Sequence, residues 1–148
     1  MLAPRTHPGK VHLTVTDLDR SVGYYQDVIG LRLHGRENGT ARMGAGGDDL
    51  LVLEENAQAK PAGRTSGLYH FALLHPSREE LGSALQRLAA RRTPMQGASD
   101  HGVSEAIYLR DPDDNGVELY TDRPREQWPP EMYTAPLDLR GLLAEADE

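Results

Sequence analysis

The stretch KVHLTVTDLDRSVGYYQDVIGLRLHGRE, residues 10–37, changes its period partway along. Val11, Leu13 and Val15 alternate with His12 and Thr14, the pattern of a strand with one buried face. Asp17 or Asp19 then suits the N-cap of a helix, whose apolar side carries Val22, Tyr25, Val28 and Ile29. Gly30 suits the helix end. LRLHGRE (31–37), TARMG (40–44) and DLLVLEE (49–55) read as three further strands, with glycines at 39, 44, 46 and 47 for the turns.

The same order recurs downstream. LYHFALL (68–74) is a strand and PSREELGSALQRLAARR (76–92) a helix, with Ser77 as N-cap, Glu80 three residues on, and Leu81, Leu85 and Leu88 as its apolar stripe. MQGASD (95–100), EAIYLRD (105–111) and GVELY (116–120) are short strands. His12 and His70 open the two halves at matching places. A repeated unit of about fifty residues predicts a duplicated α+β architecture. It consists of two βαβββ modules, residues 10–55 and 67–121, whose curved sheets surround a central cleft with the helices outside. Residues 1–122 then form the domain. Residues 123–148 form a proline-rich tail that should run extended and end in a short helix, GLLAEADE.

Bulk properties narrow the function. The formal charge of −7 disfavours nucleic acid and anionic membranes as partners. There are no cysteines, so a metal site must use nitrogen and oxygen donors. No run approaches the ~20 apolar residues of a membrane-spanning helix. The start, MLAPRTHPGK, lacks the apolar core of a signal peptide, so the expected location is cytoplasmic.

Alternation in the strands groups three polar residues. His12 faces away from Val11, Leu13 and Val15, and His70 away from Tyr69, Phe71 and Leu73. Glu118 faces away from Val117 and Leu119. All three fall on the side of the sheet opposite the helix. Taken singly, each suits a solvated strand face. Taken together, two imidazoles and one carboxylate suit a divalent metal with open positions. A bound cation would also offset a carboxylate in the middle of a strand.

The duplication, with VHLTV, YHFAL and DPDDNGVELY, resembles the vicinal oxygen chelate superfamily. Its members include glyoxalase I, extradiol dioxygenases, fosfomycin-modifying thiol transferases and bleomycin-binding proteins. TDLDRSVGYYQDVIGL, SGLYHFALLHPSREELGSAL and ASDHGVSEAIYLRDPDDNGVELYTDRP resemble the catechol-2,3-dioxygenase-like branch. The resemblance implies His12, His70 and Glu118 as ligands of a divalent metal, Fe(II) first, with Mn(II) or Zn(II) also suited. It implies a small-molecule substrate and a homodimer, with the metal site inside one chain or shared between two.

DHGVSEAIYLRDPDDNGVE is also similar to the extradiol signature, in which a His and a Tyr help bind substrate oxygens. Those residues here are His101 and Tyr108. Without the resemblance, His101 reads equally as a turn residue and Tyr108 as a cross-strand packing residue. Ser99 and Asp114 depart from the signature, which has Gly or Pro at the place of Asp114. If DDLLVLEE is laid on DDNGVELY, Leu53 falls opposite Glu118, where glyoxalase I usually has a fourth ligand. That register implies three ligands, and a shift of one residue brings Glu54 there instead. Catechol-cleaving relatives generally have four modules and another active-site His. His34 and His75 are the nearby spares, neither well placed. The activity implied is an extradiol dioxygenase acting on a catechol-like diol. The alternatives are a lyase or thiol transferase using the same triad, or a bleomycin-like binding protein.

Overall fold

The structure, a computed structural model, describes residues 3, 6–63 and 66–146. The chain divides into two compact units, Met1–Lys60 and Pro61–Glu148. In the first, strand β1 (Val11–Val15) leads into helix α1 (Leu18–Tyr24), and strands β2 (Arg32–Glu37), β3 (Thr40–Gly44) and β4 (Asp49–Glu55) follow. Their sheet has the order β1-β4-β3-β2, with β1 parallel to β4 and the other pairs antiparallel. Asp17 caps α1, its Oδ1 accepting from the Arg20 N–H at 2.9 Å, so the first of the two cap candidates is the one used. The helix ends in a π turn, Tyr25–Ile29, and Gly30 closes it at φ 94°, where a side chain would be strained. Leu18 of the helix and Tyr25 of its π turn are fully buried together with Val15, Met43, Leu51 and Leu53 of the sheet.

In the second unit β5 (Phe71–Leu74) precedes helix α2 (Arg78–Ala90). Strands β6 (Gly97–Asp100), β7 (Ser104–Arg110) and β8 (Gly116–Asp122) then complete the same order of elements. Ser77 caps α2 by accepting from the Glu80 N–H, and Leu81, Leu85 and Leu88 are its buried stripe. The sheet runs β5-β8-β7-β6-β9. Its last member, β9 (Ala135–Pro136), comes from the tail. The tail was expected to lie extended, and the structure differs. It makes a 3₁₀ turn at Arg125–Gln127 and adds β9 to β6 through Ser99↔Pro136 and Asp100↔Ala135, and the expected short helix is α3 (Leu139–Ala144), which begins two residues before GLLAEADE.

Apolar anchors explain the docking, because Leu137 and Leu142 are buried. A Cβ on Gly82 of α2 would lie 2.5 Å from the Leu142 carbonyl oxygen, so only glycine admits α3 this closely. The end of the sequence's GLLAEADE reading, residues 147–148, lies outside the described residues. Two strands are also shorter than expected. Residues 68–70 precede β5, and β6 begins at Gly97 rather than Met95. No helix among the described residues is long and apolar enough to cross a membrane.

Candidate functional site

Each unit brings an imidazole and a carboxylate together on the face opposite its helix. In the first unit β1 and β4 run parallel with His12↔Val52 and Thr14↔Glu54 in register. Glu54 therefore lies two residues beyond the partner of His12 and on the same face. The His12 Nδ1–H donates to Glu54 Oε1 at 3.3 Å, and both side chains are more than half exposed. Leu53 is buried on the helix side instead, and the exposed Glu55 reaches that helix, its Oε1 accepting from the Leu18 N–H at 2.8 Å.

The second unit repeats this geometry. β5 and β8 are parallel with Ala72↔Glu118, and His70 stands one residue before the strand. The His70 Nε2–H donates to Glu118 Oε2 at 2.8 Å, with Glu118 only 16% exposed. Gly116 makes the approach possible. A Cβ there would lie 2.2 Å from the Tyr69 carbonyl oxygen and 2.8 Å from the His70 Cβ.

These registers correct the first alignment of the two halves. Thr14↔Glu54 corresponds to Ala72↔Glu118, so Glu54, and not Leu53, is the counterpart of Glu118. The paired aspartates misled the comparison. Asp49 already belongs to β4, whereas Asp113 and Asp114 lie in the turn before β8. That turn is built on buried Asp111, whose Oδ1 accepts from the Asp113 and Asn115 N–H groups at 2.9 and 2.8 Å. Asp114 closes it at φ 66°.

Tyr108 and His101 do come together. Tyr108 is directly opposite Glu118 in the β7–β8 ladder, its ring 5.9 Å from that of His70. Its hydroxyl hydrogen-bonds Glu118 and stands 3.0 Å from His101 Nε2. Thr134 of the tail lies 3.2 Å from His101 Nδ1. One assignment satisfies every group. The Thr134 hydroxyl donates to Nδ1, Nε2–H donates to the Tyr108 oxygen, and the Tyr108 hydroxyl donates to Glu118. Burial first, and then the negative charge and hydrogen bond of Glu118, raise the Tyr108 pKa. The phenol thus keeps its proton at neutral pH and serves as a donor.

The sequence reading missed Thr134, because only the β6–β9 pairing carries the tail back over His101. The tail packs closely there. A Cβ on Gly102, at φ 74°, would lie 2.6 Å from the Tyr133 ring. The spare histidines are occupied elsewhere. His34 Nδ1–H donates to Asp49 at 3.0 Å, and His75 Nδ1–H to the Leu73 carbonyl at 3.3 Å. Among the described residues, no group of three or more His, Asp and Glu side chains stands together as a metal cluster. The two-donor pairs His12/Glu54 and His70/Glu118 nonetheless carry the nitrogen and oxygen chemistry that suits a divalent cation.

Two βαβββ modules, each with an imidazole–carboxylate pair on its helix-free face, define a class of protein. The chain belongs to the glyoxalase/bleomycin resistance protein/dioxygenase superfamily, whose family profile matches residues 7–119. It is 45% identical to a catechol-2,3-dioxygenase of Bacillus subtilis (strain 168) over 97% of its own length. It spans 53% of that relative.

Solved structures share the fold. A lactoylglutathione lyase from Agrobacterium tumefaciens superposes with a TM-score of 0.62 at 23% identity, covering 80% of this chain and 96% of that one. A fosfomycin resistance protein from Listeria monocytogenes gives 0.62 at 18% identity, covering 82% and 98%.

Proposed function

We propose that the protein is a metal-dependent dioxygenase of the extradiol type, opening a catechol-like aromatic diol. The observation that carries this reading is the contact chain His101–Tyr108–Glu118–His70. It sets proton-handling groups directly beside an imidazole–carboxylate pair. Similarity to the Bacillus catechol-2,3-dioxygenase supports it. His12, His70 and Glu118 would hold the metal, Fe(II) in this reading, in a homodimer whose site draws its ligands from one chain or two. Bound Fe(II) would supply dioxygen binding and electron transfer.

The chain's own residues then have defined tasks. With Glu118 on the metal, Tyr108, held protonated, would turn its one O–H from that carboxylate to a diol oxygen. His101 holds that phenol in position, its Nε2–H donating to the Tyr108 oxygen and its tautomer fixed by Thr134. One dioxygen enters and both its atoms stay in the ring-opened product, so no further co-reactant is needed.

The test is anaerobic loading with Fe(II), followed by catechols and air. Oxygen uptake with a yellow product is expected, and Glu118→Ala should lose more than about 100-fold in metal affinity, since even an outer partner of a ligand is worth 10–100-fold. No oxygen uptake across several catechols would sink the reading.

One observation favours a second reading. Glu54 mirrors Glu118, giving two imidazole–carboxylate pairs rather than one. Two carboxylates suit non-redox Lewis-acid chemistry of the lyase or thiol-transferase kind, with Mn(II) or Zn(II). Activity with a thiol and Mn(II) that disappears in Glu54→Gln, with none from Fe(II) and air, would select it.

A further inference from the structure

On the helix-free face of the second sheet lies a cleft of about 200 Å³ whose lining includes Tyr69, His70, Gln96, Tyr108, Arg110 and Gly116. A cavity of about 150 Å³ accommodates benzene, so this cleft has room for one aromatic ring. We infer that Arg110 makes the site select an aromatic substrate bearing a carboxylate at the end of the ring away from the reacting hydroxyls. The inference rests on the dioxygenase reading for the hydroxyl end and on the cleft itself for the carboxylate end.

The cleft's lining changes character along β7. At one end stand His70 and Tyr108, the two groups that bond the Glu118 carboxylate, which is not itself part of the lining. At the other stands Arg110, the permanently charged residue among those that line the cleft. Arg110 and Tyr108 are two residues apart on β7, opposite Gly116 and Glu118 respectively, so both side chains rise from the same face. Two residues of strand span about 7 Å, the length of one aromatic ring with a polar group at each end. A ring with its diol at Tyr108 therefore brings a substituent on its far side to the guanidinium.

Arg110 is held in place for this role. Its Nε–H donates to Gln96 Oε1 at 2.9 Å and its Nη1–H to the Asp114 carbonyl at 2.8 Å. Such contacts limit the rotamer freedom of the guanidinium, which lowers the entropic cost of an ion pair between its fixed positive charge and a carboxylate. The Asp114 carboxylate lies 3.7 Å from Nε and is three-quarters exposed. It stands where the extradiol signature has Gly or Pro, and it competes with an incoming anion for the same cation. The competition is weak, because an exposed pair at that distance contributes little.

The test compares 3,4-dihydroxybenzoate with the neutral 4-methylcatechol, by calorimetric binding to the full chain loaded with Zn(II), where no turnover occurs. The carboxylated diol should bind about tenfold more tightly or better, as a charge-assisted bond at a partly open site allows. Added salt should narrow that ratio. Arg110→Gln should collapse it toward one, while Asp114→Asn, which leaves the guanidinium in place, should widen it. Equal affinities in the unaltered protein, or a ratio indifferent to both substitutions, would overturn the inference. Oxygen uptake with 4-methylcatechol on the Fe(II) protein is scored separately. Its absence would fail the dioxygenase reading while leaving the binding ratio to decide the role of Arg110.

Discussion

Gly116→Ala tests how the fold positions His70. The added Cβ would stand 2.2 Å from the Tyr69 carbonyl oxygen and 2.8 Å from the His70 Cβ, with the His70 Cα at 3.0 Å. None of these atoms is the end of a flexible side chain. Relief requires the start of β5 to move away from β8, yet the two strands are paired from Phe71↔Val117 onward. Overpacking of this kind costs roughly 1–3 kcal/mol, and a clash with backbone belongs at the upper end, about 3 kcal/mol. For a chain of this size that lowers the Tm by about 6–12 °C.

The same shift would move the His70 imidazole. Metal–ligand distances tolerate only about 0.2 Å, so Zn(II) affinity should fall by about tenfold or more. The assays are thermal melting by circular dichroism and calorimetric Zn(II) titration. Gly23→Ala is the control. Nothing lies within 4 Å of its added Cβ, and a helical Gly→Ala change should stabilise by roughly 0.5–1 kcal/mol. A Gly116→Ala protein that melts within about 2 °C of the parent and binds Zn(II) equally well would refute the reasoning.

Two further predictions concern stability. Glu105 is buried, accepting from Arg78 Nε–H at 2.6 Å and Arg123 Nη2–H at 3.1 Å. Breaking a buried pair costs 3–5 kcal/mol, and both arginines are partly open to solvent. Glu105→Ala should therefore cost about 2–3 kcal/mol in urea denaturation, and a loss near zero would contradict this account. His75 is held below its ordinary pKa of 6.5 by burial first, with Arg87 adding to the effect and the Leu73 carbonyl opposing it. Above that pH both folded and unfolded chains carry it neutral and nothing is lost. Below it the unfolded chain takes a proton that the folded chain refuses, so stability falls with pH by at most about 1.4 kcal/mol per unit. His75→Asn should flatten that part of the curve, and an unchanged slope would assign it to other groups.

Much of the fold was legible because it is local. The alternation of Val11, Leu13 and Val15, the caps at Asp17 and Ser77, and the left-handed Gly30 are all read within one turn of helix or one strand. The duplication was legible because the same local signals return in the same order. The His101–Tyr108 contact could be anticipated from the signature, and the structure places the two groups 3.0 Å apart. The docking of the tail could not be anticipated. Proline and polar residues dominate its composition, and only the burial of Leu137 and Leu142 reveals what anchors it.

The sequence by itself determined which side-chain types stand on which face of a strand, since type and alternation require only neighbours along the chain. It placed His12, His70 and Glu118 on the helix-free faces without any knowledge of pairing. Which residues stand across from one another was decided by the tertiary structure alone. Parallel β1–β4 and β5–β8 ladders join strands that are far apart in sequence, and a slip of one residue exchanges the two faces of a strand. That register put Glu54 beside His12 and sent Leu53 into the core. It also set Arg110 in the cleft that His70 and Tyr108 line.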